Sequence, residues 1–186
     1  MTCALSKGRL ELCKDSIGGI KKVFFLNPGS AVVVETAEDV ITDLGVVTVY
    51  EYVTKDTSNF EETINSSRET GTTFWEQVIN LTVKKLDSVT RKELKIMAYG
   101  NPTVFILDNN NNLLMFGKDH GMEVTGGTVT SGTALGDLSG YTMVLTGREG
   151  EPATFLTAAA DPTAADYPFD SMTSAVTVTS GADPPA

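Results

Sequence analysis

The only histidine of the chain lies in the sequence Lys118-Asp119-His120-Gly121. A histidine beside a carboxylate can act as a general base whose ring the carboxylate orients. No nucleophile motif accompanies it, and the adjacent glycine is typical of a turn. The pattern therefore favours a surface turn between two strands, with a catalytic His120 oriented by Asp119 as the alternative.

A second candidate site is the run Asp108-Asn109-Asn110-Asn111-Asn112. Its alternate residues match the first ligand positions of a calcium loop, but the central glycine and the distal bidentate glutamate are missing. Because Asn and Asp tolerate positive φ, the run favours a hairpin turn over a metal site.

Cysteines and glycines add no further chemistry. Cys3 and Cys13 with one histidine cannot complete a conventional zinc site without carboxylates, so we expect buried or idle thiols, with a disulfide as the alternative. Gly126-Gly127 and the 132–136 segment lack the pattern of a phosphate-binding loop. The sequence predicts no enzyme activity, no metal and no cofactor.

The charge balance restricts the partners. The chain has 14 Lys and Arg against 24 Asp and Glu, a net charge of −10. Such a chain is a poor clamp for duplex DNA, because phosphate binding needs clustered cations, but it could enclose DNA that slides. The densest basic patch, Lys84-Lys85 with Arg91-Lys92, is expected to be solvated, or to form ion pairs with an acidic neighbouring subunit.

No apolar run approaches the roughly 18 residues of a membrane span, so we expect no membrane contact. The N-terminus also lacks the apolar stretch of a signal peptide, which predicts that the protein stays inside the cell that makes it.

The elements that must position these residues are mainly β. The 25 Thr and 18 Val favour pleated, half-buried strands, and one helix stands out. Two strand pairs with short connections predict two hairpins. The predicted strands are Lys21–Leu26, Ala31–Glu35, Val46–Val53, Thr72–Leu86, Thr103–Leu107, Leu113–Phe116, Met122–Ser131 and Ser139–Gly147, with a short one at Ala175–Thr179.

Thr72–Leu86 is the strongest strand prediction. Alternate residues from Trp75 to Val83 form a core-like face, whereas Glu76, Asn80 and Thr82 lie on the wet face. A strand of about 14 residues is far longer than the usual 5–6. It must overhang its own domain or join a larger sheet.

The helix is predicted at Asp87–Tyr99, with Asp87 or Ser88 as its cap and Gly100 after its end. Its apolar residues recur at helical spacing, so Leu94 and Met97 are expected to face the sheet.

Two segments are harder to place. The polar stretch Thr54–Gly71 is either a disordered loop or the outer part of a long hairpin, and loops of this length are usually functional. Its apolar residues, Phe60 and Ile64, are sparse, so we expect it to order only on contact with another subunit. Residues 158–186 are rich in Ala, Thr and Pro and predict a peripheral extension with a mobile end, outside a domain of residues 1–157.

The order of these elements resembles the major tail proteins, or tail tube proteins, of tailed bacteriophages, especially those infecting Bacteroidetes. The most similar segments are Phe74-Trp75-Glu76-Gln77 leading into 81–86, and the 117–121 segment leading into Gly140-Tyr141-Thr142. The resemblance covers about residues 20–157.

The resemblance implies an antiparallel β-sandwich or barrel with one flanking α-helix. Six copies would form a ring whose sheets join into an inner barrel, and stacked rings would form the conduit for the genome. It also implies a virion protein assembled in the host bacterial cytoplasm. Its partners would be further copies of itself, the terminator, tape-measure, sheath or baseplate proteins, and passing DNA that it does not bind tightly.

Site residues follow as expectations. The long loop or hairpin would contact the next ring through Phe60, Glu61, Glu62, Ile64 and Arg68. The lumen or inter-subunit strand would carry Glu76, Asn80, Thr82 and Lys84, giving an acidic or neutral wall. Lateral pairing is expected at Thr72–Leu86 or at Val46–Val53.

Alternative functions remain open at this stage. A head–tail completion ring or a capsid decoration protein would have a related fold but a different copy number. A non-viral β-sandwich binding module would present exposed aromatic residues, whereas Trp75 lies on the core-like face of its strand.

Overall fold

The computed structural model describes residues 16–31, 33–36, 39–54, 57–157 and 159–181. These residues form two sheets and one helix, so the chain is mainly β, a sandwich with a single flanking helix, as the sequence predicts. Cys3, Cys13 and the N-terminal arm before residue 16 lie outside them. In this described part no helix has the length and hydropathy that a membrane crossing requires.

The elements follow one another along the chain as thirteen segments. They are β1 (Ile20–Leu26), β2 (Val34–Glu35), β3 (Val40–Asp43), β4 (Val47–Val53), β5 (Asn59–Ser67), β6 (Thr72–Lys84), α1 (Ser88–Met97), β7 (Thr103–Asp108), β8 (Leu113–Phe116), β9 (Glu123–Thr130), β10 (Gly140–Glu149), β11 (Thr154–Leu156) and β12 (Val176–Ser180).

The larger sheet has eight strands in the order β12-β4-β1-β7-β8-β11-β3-β2. Strands β7 and β8, and β1 from Val23 onward, are buried on both faces, which explains their nearly continuous apolar sequences. The hairpin predicted between residues 103 and 116 is confirmed, because β7 and β8 pair in antiparallel register.

One face of the larger sheet encloses its own core. The ring of Phe169 lies between those of Phe24 and Phe105. Its centroid is 5.3 Å from the centroid of each, and its plane is nearly perpendicular to both ring planes. The sheet curves around this core. The backbone N–H of Thr173, just before β12, donates to the carbonyl of Thr42 in β3 at 3.0 Å. Segments near opposite edges of the sheet are therefore joined.

The predicted peripheral extension is wrong for residues 159–181. Phe169 is fully buried, and β12 pairs in parallel with β4. One buried aromatic side chain and one short β-branched strand are enough to place this Ala- and Pro-rich segment in the core of the larger sheet. The mobile end was predicted for residues that lie outside the described part.

The smaller sheet has four strands, all antiparallel, in the order β5-β6-β10-β9. Its inner face packs on the second face of the larger sheet through Ile79, Leu81 and Leu145, which contact a core that includes Phe25 and Phe116. The inner face predicted for the long strand is confirmed by the burial of Gln77, Ile79 and Leu81. The predicted 122–147 hairpin is also present as β9 and β10.

The 13 residues of β6 are paired within the chain. Strand β10 pairs with residues 75–84 of β6, and β5 pairs with Thr72–Asn80. The first three residues of β6, Thr72–Phe74, therefore pair with β5 alone. Its length therefore reflects an overhanging hairpin. The lateral edges predicted at Thr72–Leu86 and Val46–Val53 are wrong, because β6 and β4 both lie between two other strands.

Residues 57–71 of the polar segment Thr54–Gly71 form the outer arm of that hairpin. Its residues Asn59–Ser67 form β5 in a single copy of the chain. The prediction that the segment orders only on contact with another subunit is therefore wrong for this strand. The polar composition belongs to a strand with one partner and one open edge.

Helix α1 begins and ends close to its predicted bounds. The Asp87 carboxylate caps it by accepting hydrogen bonds from the backbone N–H groups of Val89 and Thr90, at 3.0 and 3.1 Å. Leu94 and Met97 pack, half-buried, against the core between the sheets. None of the helix residues is fully buried.

Candidate functional site

The outer face of the smaller sheet is a broad polar surface. The four predicted wall residues, Glu76, Asn80, Thr82 and Lys84, alternate along β6 and share this face. Threonines from the neighbouring strands pair across it. The hydroxyls of Thr128 and Thr142 are 2.6 Å apart, and those of Thr125 and Thr146 are 3.0 Å apart.

Opposite charges nearly cancel on this face. The strand register places five charged residues on this face. Three are carboxylates and two are cations: Glu61, Glu76 and Glu123, with Lys84 and Arg148. The Arg148 guanidinium donates to the Glu76 carboxylate at 3.1 and 3.2 Å across the β6–β10 pair. Two of the five charges are thus neutralised in place, and the rest of the face combines hydroxyl and amide groups with the apolar side chains of Phe74, Val78 and Val144.

Both edges of the smaller sheet are open in the described chain. Strand β5 has nine residues and pairs only with β6, and β9 has eight and pairs only with β10. An open strand edge presents unpaired N–H and C=O groups to any chain that can pair with it. The two edges are therefore the strongest candidate contact sites.

The tip of the β5–β6 hairpin extends beyond the last residue of β10. Ile64 pairs with Trp75 at that boundary, and the residues past it form a two-stranded ribbon. Arg68 lies exposed in the turn, and Gly71 there has φ of +66°. Of the predicted inter-ring residues, Arg68 is the one carried on this projecting tip.

Two of the predicted inter-ring residues point into their own chain. The Phe60 ring packs on Phe116 of the larger sheet, with centroids 5.1 Å apart. The Glu62 carboxylate accepts hydrogen bonds from the Ala153 N–H at 2.7 Å and from the Gln77 side chain at 3.1 Å. The inter-ring prediction is wrong for Phe60 and Glu62, because both lie on the inner face of β5. Glu61 lies on the outer face, and Ile64 is 57% exposed.

Gln77 connects the two sheets, which sequence reasoning missed. Its side-chain oxygen accepts a hydrogen bond from the N–H of Gly117, just after β8, at 3.0 Å. Its amide group donates to Glu62 in β5. The signal in the sequence was a polar residue in the middle of an otherwise apolar strand face, because a buried amide needs partners.

His120 contacts a carboxylate other than the predicted one. Its Nδ1 lies 2.9 Å from Glu149, which is only 3% exposed and also accepts the backbone N–H groups of Asp119 and His120. The hydrogen bond to Glu149 raises the pKa of His120 above its usual value, and the charge of Glu149 adds to the effect. The pair fixes the turn between β8 and β9.

Lys118 joins the same turn to two other segments. Its ammonium lies 2.7 Å from Glu35 in β2 and 3.1 Å from Glu151. Burial by itself lowers the pKa of Lys118, but the hydrogen bonds to the two carboxylates outweigh it and raise the pKa. The five polar contacts described for residues 118–120 are all made inside the chain, so this segment is a structural connection.

The Asp108–Asn112 run forms the predicted hairpin turn. The Asp108 carboxylate accepts the backbone N–H groups of Asn110 and Asn112 at 2.8 and 2.7 Å, and Asn111 has φ of +61°. The carboxylate is therefore occupied by its own turn. Among the described residues no group of three or more His, Cys, Asp or Glu is placed to hold a metal ion.

Comparison with protein-family models, curated proteins and solved structures finds no match to this chain. Its function has to be inferred from the fold and from the surfaces of the smaller sheet.

Proposed function

We propose that this protein is a structural subunit that polymerises laterally into rings, and that stacked rings form the tail tube of a bacteriophage. The observation that carries the proposal is a four-stranded sheet with two open edges and an outer face whose charges nearly balance. A monomeric protein would gain nothing from two long open edges, since these promote uncontrolled pairing.

Strand direction supports a closed ring. The four strands alternate in direction, so β5 and β9 run opposite to one another. Placing β9 of one copy beside β5 of the next continues the antiparallel alternation, whatever the number of copies. Such a contact is heterologous, and heterologous contacts close into rings when the rotation between copies allows it.

The chemistry of the outer face suits the inner wall of a conduit. Lateral pairing keeps this face on one side of the continued sheet, where Asn80 and Thr82 would line the lumen. A wall with nearly balanced charges would neither bind the phosphates of passing DNA tightly nor repel them strongly. The net charge of −10 on the whole chain also opposes tight DNA binding.

Stacking is assigned to the projecting hairpin tip. The exposed Arg68 would contact a carboxylate of the adjacent ring, and the end rings would contact terminator, tape-measure, and sheath or baseplate proteins.

The candidate catalytic and metal-binding residues support a structural role, because His120 and Asp108 are engaged in turns of their own chain.

Negative-stain electron microscopy of the purified protein tests the proposal. Long tubes of constant diameter are the expected result. Isolated rings that never stack would support a head–tail completion ring instead, and monomers at all concentrations would overturn the assembly role. Tubes should also persist in chelator, and a high-resolution map with a lumen lined mainly by Lys and Arg would contradict the assigned wall.

A more selective test is to replace residues 66–72 with a two-residue turn. The β5–β6 pair below the tip stays intact, so the variant should fold and form rings. We expect the rings to stack poorly. Normal tubes from this variant would show that the hairpin tip does not mediate stacking.

A further inference from the structure

We infer that neighbouring copies of this chain pair β9 with β5 in a staggered register, in which β5 of the second copy is displaced by about six residues along the strands. In this register Thr128 of one copy lies directly opposite Thr63 of the next. The inference rests on the proposed function and specifies its lateral contact. It follows from the way the four strands of the smaller sheet are offset from one another.

The strands of the smaller sheet are staggered in one direction. Thr63, the middle residue of β5, pairs with Glu76 of β6, two residues before the middle of that strand. The middle of β10 lies level with residues 79–80 of β6, and the middle of β9 lies level with residues 80–81. The midpoints thus advance from residue 76 to residue 80 or 81 over three steps, about one and a half residues per strand. At this rate the four strands of one copy advance the sheet by about six residues.

An advance of this size suits a closed barrel. Each residue extends a strand by about 3.3 Å and neighbouring strands lie about 4.8 Å apart, so one and a half residues per strand tilt the strands by roughly 45°. Strands in closed barrels tilt by about 35–45°. An even displacement also keeps the inner faces of β9 and β5 on the same side of the sheet, whereas an odd one would bring opposite faces together.

A level register, without displacement, is unfavourable. Strands β5 and β9 share only the three levels marked by residues 78–80 of β6. At the level of Val78, Glu61 of one copy would lie directly opposite Glu123 of the next. Like charges directly opposite destabilise an antiparallel pair. Displacing β5 in the other direction, toward its hairpin tip, would reduce the overlap further.

The six-residue displacement removes both problems. Every residue of β9 outside its bulge then lies opposite a residue of β5. Glu123 faces Ser67, and Glu61 faces Thr130, so no two carboxylates meet. The open edge of β9 is thereby paired along its whole length.

The same displacement extends a row of hydroxyl groups on the outer face. Thr128 already pairs with Thr142 inside the chain, with their hydroxyls 2.6 Å apart. Thr63 of the next copy would continue this row on the other side of Thr128. Threonine pairs directly opposite across an antiparallel contact stabilise it.

Disulfide scanning tests the register in the full chain. A Thr128→Cys protein is mixed, under mild oxidation, with each of four differently tagged proteins that carry one cysteine on the outer face of β5, all in a Cys3→Ser, Cys13→Ser background. Within one copy β5 and β9 lie on opposite edges of the sheet, so a disulfide between them joins two copies. Displacements of two, four, six and eight residues place Thr128 opposite four successive outer-face positions of β5: Asn59, Glu61, Thr63 and Asn65.

The Thr63→Cys protein should give the most mixed dimer, at least tenfold more than Asn59→Cys. Cβ atoms directly opposite across an antiparallel pair are about 4.5–5.5 Å apart, close to what a disulfide bridges, and a position four residues away is out of reach. A maximum at any of the other three positions would overturn the six-residue register.

The outcomes separate this inference from the proposed function. Tubes in the microscope with no disulfide between β5 and β9 would overturn the register and leave the tube role standing. Dominant disulfides between two Thr128→Cys chains would show an isologous contact and also overturn it. Absence of any self-association would overturn both.

A charge pair provides a second measurement without cysteines. A chain with Thr63→Glu and Thr128→Lys should associate roughly two- to fivefold more tightly at low salt than the two single variants together predict. Asn59→Glu combined with Thr128→Lys is the matched control, because it has the same net charge but places the carboxylate four residues along β5. Equal coupling in the two chains would contradict the register.

Discussion

The two sheets of this protein have opposite relations to solvent. The eight-stranded sheet is covered on both faces along its middle strands, and its edge strands β2 and β12 have only two and five residues. The four-stranded sheet has one dry face, one wet face and edges of nine and eight residues. The larger sheet therefore carries most of the buried apolar side chains, while the smaller one has the longer open edges and the wet face.

The largest expected effect tests the core of the larger sheet. Phe169→Ala removes a fully buried ring between Phe24 and Phe105, and should lower the free energy of unfolding by about 3–5 kcal/mol. Chemical denaturation measures it. Thr177→Ala, at an exposed position of β12, is the control and should change little. If Phe169→Ala lowered the free energy of unfolding by less than about 1 kcal/mol, residues 159–181 would be peripheral to the core.

The next effect tests the connection between the two regions. Gln77→Leu nearly keeps the side-chain volume but leaves the Gly117 N–H without its partner, and the Glu62 carboxylate keeps only its hydrogen bond from the Ala153 N–H. We expect a loss of about 1–3 kcal/mol, the usual cost of unsatisfied buried polar groups. Thermal unfolding measures it. A neutral or stabilising Gln77→Leu would show that packing alone holds the sheets together.

A smaller effect is expected at the helix. Leu94 is only half-buried, so Leu94→Ala should cost about 1 kcal/mol, less than the roughly 2–5 kcal/mol of a fully buried leucine. Ile96→Ala, at an exposed position of α1, is the matched control. Similar losses for the two variants in denaturant titrations would mean that α1 does not pack through Leu94.

The smallest effect is the pH dependence of the 118–120 turn. The pKa of His120 is raised in the folded chain, so its contact with Glu149 stabilises the fold fully below the unfolded-state pKa of about 6.5. That contribution disappears as the pH rises through the raised folded-state pKa. The free energy of unfolding should therefore differ between the parent and His120→Gln at about pH 5.5 and converge at high pH.

Assembly should not depend on that histidine. His120→Ala is expected to form the same particles as the parent in negative-stain images, because the ring is exposed and its hydrogen bond is to Glu149 of its own chain. A variant that folds but does not assemble would reopen a functional role for His120.

Local signals in the sequence determined where the elements lie. Alternation of apolar residues predicts the strand at 72–86, short apolar runs predict those at 21–26, 103–107 and 113–116, and an aspartate cap predicts the start of α1. The Asn run from 108 to 112 predicts its own turn. Each of these signals acts over a few residues, so the sequence alone is sufficient to locate them.

Only the tertiary structure decided which strands pair and which polar groups meet. The sequence does not say that β4 lies beside β12, or that Glu149 rather than Asp119 faces His120. The inward orientation of Phe60 and Glu62 follows from the register of β5 on β6, which is set by contacts far apart in the chain. Propensity, capping and turn chemistry act between near neighbours, whereas pairing and burial depend on what the rest of the chain brings to the same place.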